Sequence, residues 1–274
     1  MKSVVFLIAV SVCAQSPQNP SPMVEHTRSH QRQIEQPPAG RREKLSIGTL
    51  YIPARAKVGK TVPLLVHFHG SAWLPEQCAH KQNPNAAVLT VQLGAGSAAY
   101  ASPFQEKDRF AALLAEAGKT GSLKFKPIFL SGFSAGYGAI REILKDFQPD
   151  GVVLIDGLHT SYQTEGKPGP LKPEGLAVFL DYARRAAAGE KRMVITHSEI
   201  YPGTFASTTE TADYLLDQLG IKRVPVVKWG PLGTQQLSGA RKGGFELLGF
   251  AGNSAPDHMD QLHAMGYWLR RMRL

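Results

Sequence analysis

The chain has 274 residues, 43% of them apolar, 19% charged and 8% aromatic, with 27 Gly and 19 Pro. That composition excludes a collagen, a coiled coil and a wholly disordered polypeptide, and the length suits one main domain. The formal charge of +9 invites a nucleic-acid partner, but the basic residues are scattered in short pairs such as Arg41-Arg42, Arg184-Arg185 and Arg270-Arg271, with no basic stripe interleaved with aromatics, so a solvated basic surface is expected and nucleic acid is not.

At the start of the chain, Lys2 precedes an apolar run from Val4 to Val10 that is too short to span a bilayer and gives way to Val12-Cys13-Ala14. This is the pattern of a cleaved secretory signal over residues 1–14, which implies a secreted or periplasmic mature chain. Removal of that segment leaves Cys78 as the sole thiol, so no internal disulfide is expected. Residues 15–44 are rich in Gln, Ser, Pro and Arg without apolar periodicity and read as a flexible leader. The folded domain is expected over 45–274.

Residues 45–53 alternate as an antiparallel edge strand would. Short β-branched apolar runs then follow at 62–68, 87–93, 127–130, 151–155, 192–196, 224–229 and 245–250. Between them, 104–117, 135–147, 173–188, 208–219 and 257–272 space their apolar residues by three and four, as amphipathic helices do. Strands apolar on both faces, alternating with helices, predict an α/β fold with a mainly parallel central sheet covered on both faces. No later apolar run is long enough for an integral membrane segment, and nothing in the chain specifies an oligomeric state. The run Ser207-Thr208-Thr209-Glu210 is a helix start of the capping-box kind.

The strongest local signal is Phe129-Leu130-Ser131-Gly132-Phe133-Ser134-Ala135-Gly136, a buried strand running into Gly-x-Ser-x-Gly and then a helix. A serine on such a strained turn has its hydroxyl presented at the sheet edge, and glycines on either side let chain and helix approach closely. Ser134 is the candidate nucleophile. A serine needs a base to take its proton and donors to hold the oxyanion. Upstream, the strand ending His67-Phe68 turns at His69-Gly70-Ser71-Ala72-Trp73, so the N–H of Ser71 or Ala72 is a candidate donor beside that of Ala135. His67 and His69 share a face by alternation, but no third ligand is indicated and no metal is expected.

These two segments, His69-Gly70-Ser71-Ala72-Trp73 and Gly132-Phe133-Ser134-Ala135-Gly136, in this order within the strand–helix alternation, resemble the α/β-hydrolase superfamily, especially its secreted esterases, over roughly residues 45–274. The resemblance implies a Ser–acid–His order, with the acid after one of the two strands beyond the elbow helix and the histidine after the last strand. His258 stands at the mouth of the final helix, just after the loop that follows strand 245–250, and is the expected base. His263 lies more than one turn inside that helix and is expected to be structural. Asp257 is expected to cap the helix.

Two acids compete. Glu199 follows strand 192–196, where most of the superfamily carries its acid, but it is not the usual Asp and lacks the usual Gly-rich turn. Asp156 ends the fully apolar strand 151–155, where an unpaired carboxylate is costly, and a minority of the superfamily places the acid there. Asp156 is the expected acid and Glu199 the alternative. The expected activity is carboxylic ester hydrolysis on a small-molecule or polymer ester, through a covalent acyl-enzyme and without a cofactor. A secreted peptidase or amidase using the same residues, and a non-catalytic binding protein on the same fold, are the alternatives. Segments 95–105, 159–173 and 229–243 are candidates for shaping the substrate pocket, with 157–173 as a lid or rim.

Overall fold

The computed structural model describes residues 29–274; the expected signal segment 1–14 and the first part of the expected leader lie outside them. The described residues begin with β1 (Gly40–Lys44), β2 (Thr49–Pro53), β3 (Thr61–Phe68), α1 (Trp73–Gln82) and β4 (Ala87–Val91). Next come α2 (Ser97–Ala101), α3 (Arg109–Gly121), β5 (Lys124–Phe133), α4 (Tyr137–Asp146), β6 (Gly151–Ile155), α5 (Ala177–Ala187) and β7 (Arg192–His197). The chain closes with α6 (Thr208–Leu219), β8 (Val224–Trp229), β9 (Gln235–Lys242), β10 (Phe245–Phe250), α7 (Ala255–His263) and α8 (Met265–Met272).

All ten strands form one sheet in the order β1-β2-β4-β3-β5-β6-β7-β10-β9-β8. Its centre, from β4 to β10, is parallel, and both margins are antiparallel. This is the predicted α/β class. Alternation along β3 sends Leu64, Val66 and Phe68 into one apolar cluster, with Leu113, Ile140, Phe179 and Leu215 of α3 to α6. Leu65 goes to the opposite cluster, with Leu74 and Cys78 of α1 and Leu262, Trp268 and Leu269 of α7 and α8. Burial of each such Leu or Phe is worth about 1.5–3 kcal/mol, which is why the helices stay on the sheet. Among the described residues no helix is long and apolar enough to cross a membrane.

The structure departs from expectation at three margins. Residues 40–44, expected in the leader, form β1 against β2. Farther upstream, His30 pairs with the fully buried Asp260 at 2.8 Å, Arg32 donates to the Pro256 carbonyl, and the Gln33 N–H donates to His263 Nδ1 at 3.0 Å. Such a polar strap is held by ion pairs and hydrogen bonds, so apolar periodicity does not reveal it. Segment 229–243 is mostly β9, hydrogen-bonded to β8 and β10 rather than a loop at the pocket. The single helix expected over 257–272 is two, α7 and α8, separated at Ala264, and α7 begins at Ala255 with Ser254 as its N-cap: Ser254 Oγ accepts the Asp257 N–H while Asp257 accepts the Ser254 N–H and hydroxyl. Asp257 is thus the third residue of a capping box, not the cap itself. The same device starts α6, where Ser207 and Glu210 form the expected capping box.

Candidate active site

A parallel sheet brings the carboxyl ends of its strands to one edge, and the register aligns Phe133 with Ile155 and Ile155 with Thr196. The residues that follow, Ser134, Asp156 and the segment after His197, therefore emerge side by side. β5 ends at Phe133, and Ser134 turns the chain with φ 46° into a short 3-10 turn, Ser134–Gly136, that continues as α4. A left-handed φ at a non-glycine residue costs about 1–2 kcal/mol. Two close approaches hold this turn in place. A Cβ on Gly136 would lie 2.2 Å from the Phe68 carbonyl oxygen, and one on Gly157 would lie 2.2 Å from the Ser134 carbonyl oxygen. The serine turn is thus packed between the end of β3 and the loop after β6.

Asp156 also has a positive φ, 43°, and is buried. Its carboxylate accepts three hydrogen bonds: the Ser198 N–H at 2.8 Å on Oδ1, the Ser198 hydroxyl at 2.6 Å on Oδ2, and His258 Nδ1 at 2.7 Å on Oδ2. Burial alone would raise its pKa, but the bonds from His258 and Ser198 outweigh burial and hold the carboxyl below the usual carboxylate range. A carboxylate only accepts, so Nδ1 of His258 carries a hydrogen, and in the neutral ring Nε2 presents the lone pair. The His258 ring lies 4.4 Å from the Phe133 ring and its side chain is 23% exposed. Its place in the first turn of α7 is fixed by the Ser254–Asp257 capping box.

Ser134, Asp156 and His258 line a common cavity of about 470 Å³. Ala135 lines it too. The rest of the wall comes from His159, Thr160 and Ser161 after β6, from Ile200, Pro202 and Phe205 after β7 with Thr208 of α6, and from Gly96, Ser97 and Tyr137. Two of the three candidate pocket segments therefore contribute. The stretch 157–173 forms part of the rim, closed on itself by the isolated bridge between Tyr162 and Leu171.

The other candidates fall elsewhere. Glu199 is exposed, its N–H donating to the Gly252 carbonyl, while His258 Nδ1 is taken by Asp156. Ser71 is half-buried and its hydroxyl accepts the Leu74 N–H at the start of α1; Ala72 is exposed, and neither is among the residues lining the cavity. His263 accepts from Gln33 away from the cavity, as its structural assignment required. His67 and His69 make separate contacts, Nδ1 of His67 with the Ser131 hydroxyl at 3.1 Å and Nδ1 of His69 with the Tyr100 hydroxyl at 2.9 Å. Ser198 and His159 have no local signal pointing to them. Ser198 becomes visible only once Asp156 has a neighbour across the sheet, and His159 only once the loop after β6 folds over Ser134.

No family model and no curated relative matches the sequence. Among solved structures the chain is similar to a thermophilic esterase from Thermogutta terrifontis, with 15% identity, a TM-score of 0.44 and coverage of 81% of this chain and 85% of that one. It is also similar to an acylaminoacyl peptidase from Pyrococcus horikoshii, with 15% identity, a TM-score of 0.47 and coverage of 86% of this chain. The chain spans 42% of that peptidase's length.

Proposed function

We propose that this protein is a serine hydrolase that cleaves carboxylic esters through a covalent acyl-enzyme. The observation that carries the reading is the 2.7 Å bond from His258 Nδ1 to the buried Asp156 carboxylate, in the cavity that Ser134 enters from a strained turn. A histidine oriented in this way leaves Nε2 free to accept a proton, which an ordinary structural histidine beside a serine has no need to do.

In the proposed reaction Ser134 Oγ attacks the ester carbonyl carbon as its proton passes to His258 Nε2. The carbonyl π pair moves onto oxygen, for which the Ala135 N–H, next to the nucleophile, is the proposed donor. Collapse of the tetrahedral species breaks the bond to the alcohol oxygen, which leaves with the proton from His258, and the acyl group stays on Ser134. Water then attacks this acyl ester, giving its proton to His258, and the carboxylic acid departs as the proton returns to Ser134. Throughout, Asp156 holds the imidazole tautomer and offsets the positive charge that His258 carries between transfers. No step calls for a cofactor. Residues 1–14 are proposed as a cleaved export signal, which the mass of the mature N-terminus would test.

The first experiment is labelling of the purified protein with a fluorophosphonate, followed by mass mapping. Stoichiometric modification at Ser134, absent in Ser134→Ala, is expected. A folded protein that takes no label would overturn the hydrolase reading in favour of a binding protein on the same fold.

A further inference from the structure

The loop after β6 brings a second histidine to the cavity, and the proposed mechanism does not use it. His159 lies three residues beyond Asp156, and the loop between them is pressed against Ser134 at Gly157. The ring is held on two sides, by Tyr137 at 5.5 Å and Phe205 at 5.0 Å, each meeting it edge to face. Its Nδ1 is 2.8 Å from the Ala206 carbonyl oxygen. A carbonyl only accepts, so Nδ1 carries the hydrogen and Nε2 is left with a lone pair. Among the described residues no hydrogen bond reaches Nε2, and His159 lines the same cavity as Ser134 and His258.

Burial holds the His159 imidazole below the usual histidine range, so the ring is neutral at ordinary pH and Nε2 accepts rather than donates. Ile200, Pro202 and Phe205 give the cavity an apolar wall, and Thr160, Ser161 and Thr208 line it as well. A rigid acceptor beside an apolar wall is a recognition element for a donor on the ligand, and the neutral donor that ester substrates commonly carry is a hydroxyl. We propose that His159 is a specificity-determining residue whose Nε2 accepts a hydrogen bond from a hydroxyl group of the substrate, so that the site selects hydroxylated esters over their deoxy counterparts. This inference rests on the ester-hydrolase reading for its substrate class, and on His159 alone for its selectivity. The hydroxyl belongs to either the alcohol or the acyl half of the ester, and the test separates the two.

Monobutyrin is compared with propyl butyrate for the alcohol half, and ethyl lactate with ethyl propanoate for the acyl half. An acceptor left without its partner in a desolvated site disfavours the deoxy ester by about 10- to 100-fold in kcat/KM. The native protein is expected to show that preference in one pair, which identifies the half that His159 reads. His159→Phe is expected to collapse the ratio toward one, with the loss falling on the hydroxylated ester. His159→Gln, whose amide offers both a donor for Ala206 and an acceptor for the substrate, is expected to keep part of it. A residue that merely holds the loop at Ala206 would lower both members of a pair together and leave the ratio unchanged, and that result overturns the proposal, as does a native protein indifferent to both pairs. The same four esters are also measured for binding to Ser134→Ala by ligand-observed NMR, with and without His159→Phe. If Ser134 takes no fluorophosphonate and no ester is cleaved, the hydrolase reading fails, and the NMR preference still decides the role of His159.

Discussion

Replacing Asp156 by asparagine keeps the shape of the side chain and changes which atoms accept. In the native arrangement Oδ1 takes the Ser198 N–H, while Oδ2 takes both the Ser198 hydroxyl and His258 Nδ1–H. A backbone N–H cannot rotate away, so the amide oxygen of the substituted side chain must occupy the Oδ1 position and its NH2 group the Oδ2 position. The Ser198 hydroxyl can turn to accept from that NH2. His258 can avoid a donor–donor clash only by moving its proton from Nδ1 to Nε2, and an Nε2 that already carries hydrogen cannot take one from Ser134. The expected loss is about ten-thousand-fold in kcat, or about 5.4 kcal/mol of transition-state stabilisation at 1.36 kcal/mol per decade. The assay is steady-state hydrolysis of a chromogenic short-chain ester beside the rate of fluorophosphonate labelling, with circular dichroism and thermal melting to establish that the variant folds. A folded Asp156→Asn protein within about ten-fold of the native rate would refute the assignment. So would a larger loss in Glu199→Gln.

Three further outcomes are expected. Ser198→Ala removes the 2.6 Å hydroxyl bond to Asp156 and should lower kcat by about ten-fold through looser positioning of His258, with KM little changed; an unaltered kcat would show that the backbone N–H suffices. Gly136→Ala puts a methyl group 2.2 Å from the Phe68 carbonyl and should destabilise the fold by about 3 kcal/mol or more in urea unfolding, whereas a loss under about 1 kcal/mol would mean that the turn yields easily. The buried His67 has its pKa pushed down to about 3 from 6.5, chiefly by burial. Between those values the unfolded chain binds a proton that the fold refuses, so stability is complete above the unfolded pKa of 6.5 and falls as pH drops toward about 3, by up to about 1.4 kcal/mol per pH unit. His67→Leu should flatten that acid limb in a pH series of urea midpoints, and parallel curves for the two proteins would exclude His67 as its source.

The serine turn is legible in the sequence because its requirement is local. A strand, a left-handed serine and a helix can be packed within eight residues only if the flanking positions lack a Cβ, and that steric demand is written directly as Gly132-Phe133-Ser134-Ala135-Gly136. The same holds for the strand–helix alternation and for the capping box at Ser207, since each depends on residues within one or two turns of one another. The cap of α7 lies three residues before its expected place because Ser254 and Asp257 are both good capping residues, and only the course of the chain into Ala255 distinguishes them. The choice between Asp156 and Glu199 is of another kind. His258 and Asp156 are 102 residues apart, and their meeting depends on the order of β6, β7 and β10 in the sheet and on the angle at which α7 leaves it. Local sequence carries a carboxylate's cost of burial but not the identity of its partner.

The polar strap ahead of β1 and the cavity wall at His159 follow the same division. Residues 30–33 have no apolar period to betray them, and they are ordered by Asp260, His263 and Pro256, more than two hundred positions away. His159 is one more polar residue in a loop until Ala206 fixes its tautomer and Tyr137 and Phe205 fix its plane. Which segments become strands and helices, and where the chain must turn sharply, can be read from the residues in order, because backbone sterics and hydrophobic period act over a few positions. Which acid meets which histidine, and which face of a loop lines the cavity, emerge with the assembled sheet, because those outcomes depend on contacts between distant segments whose register the sheet sets.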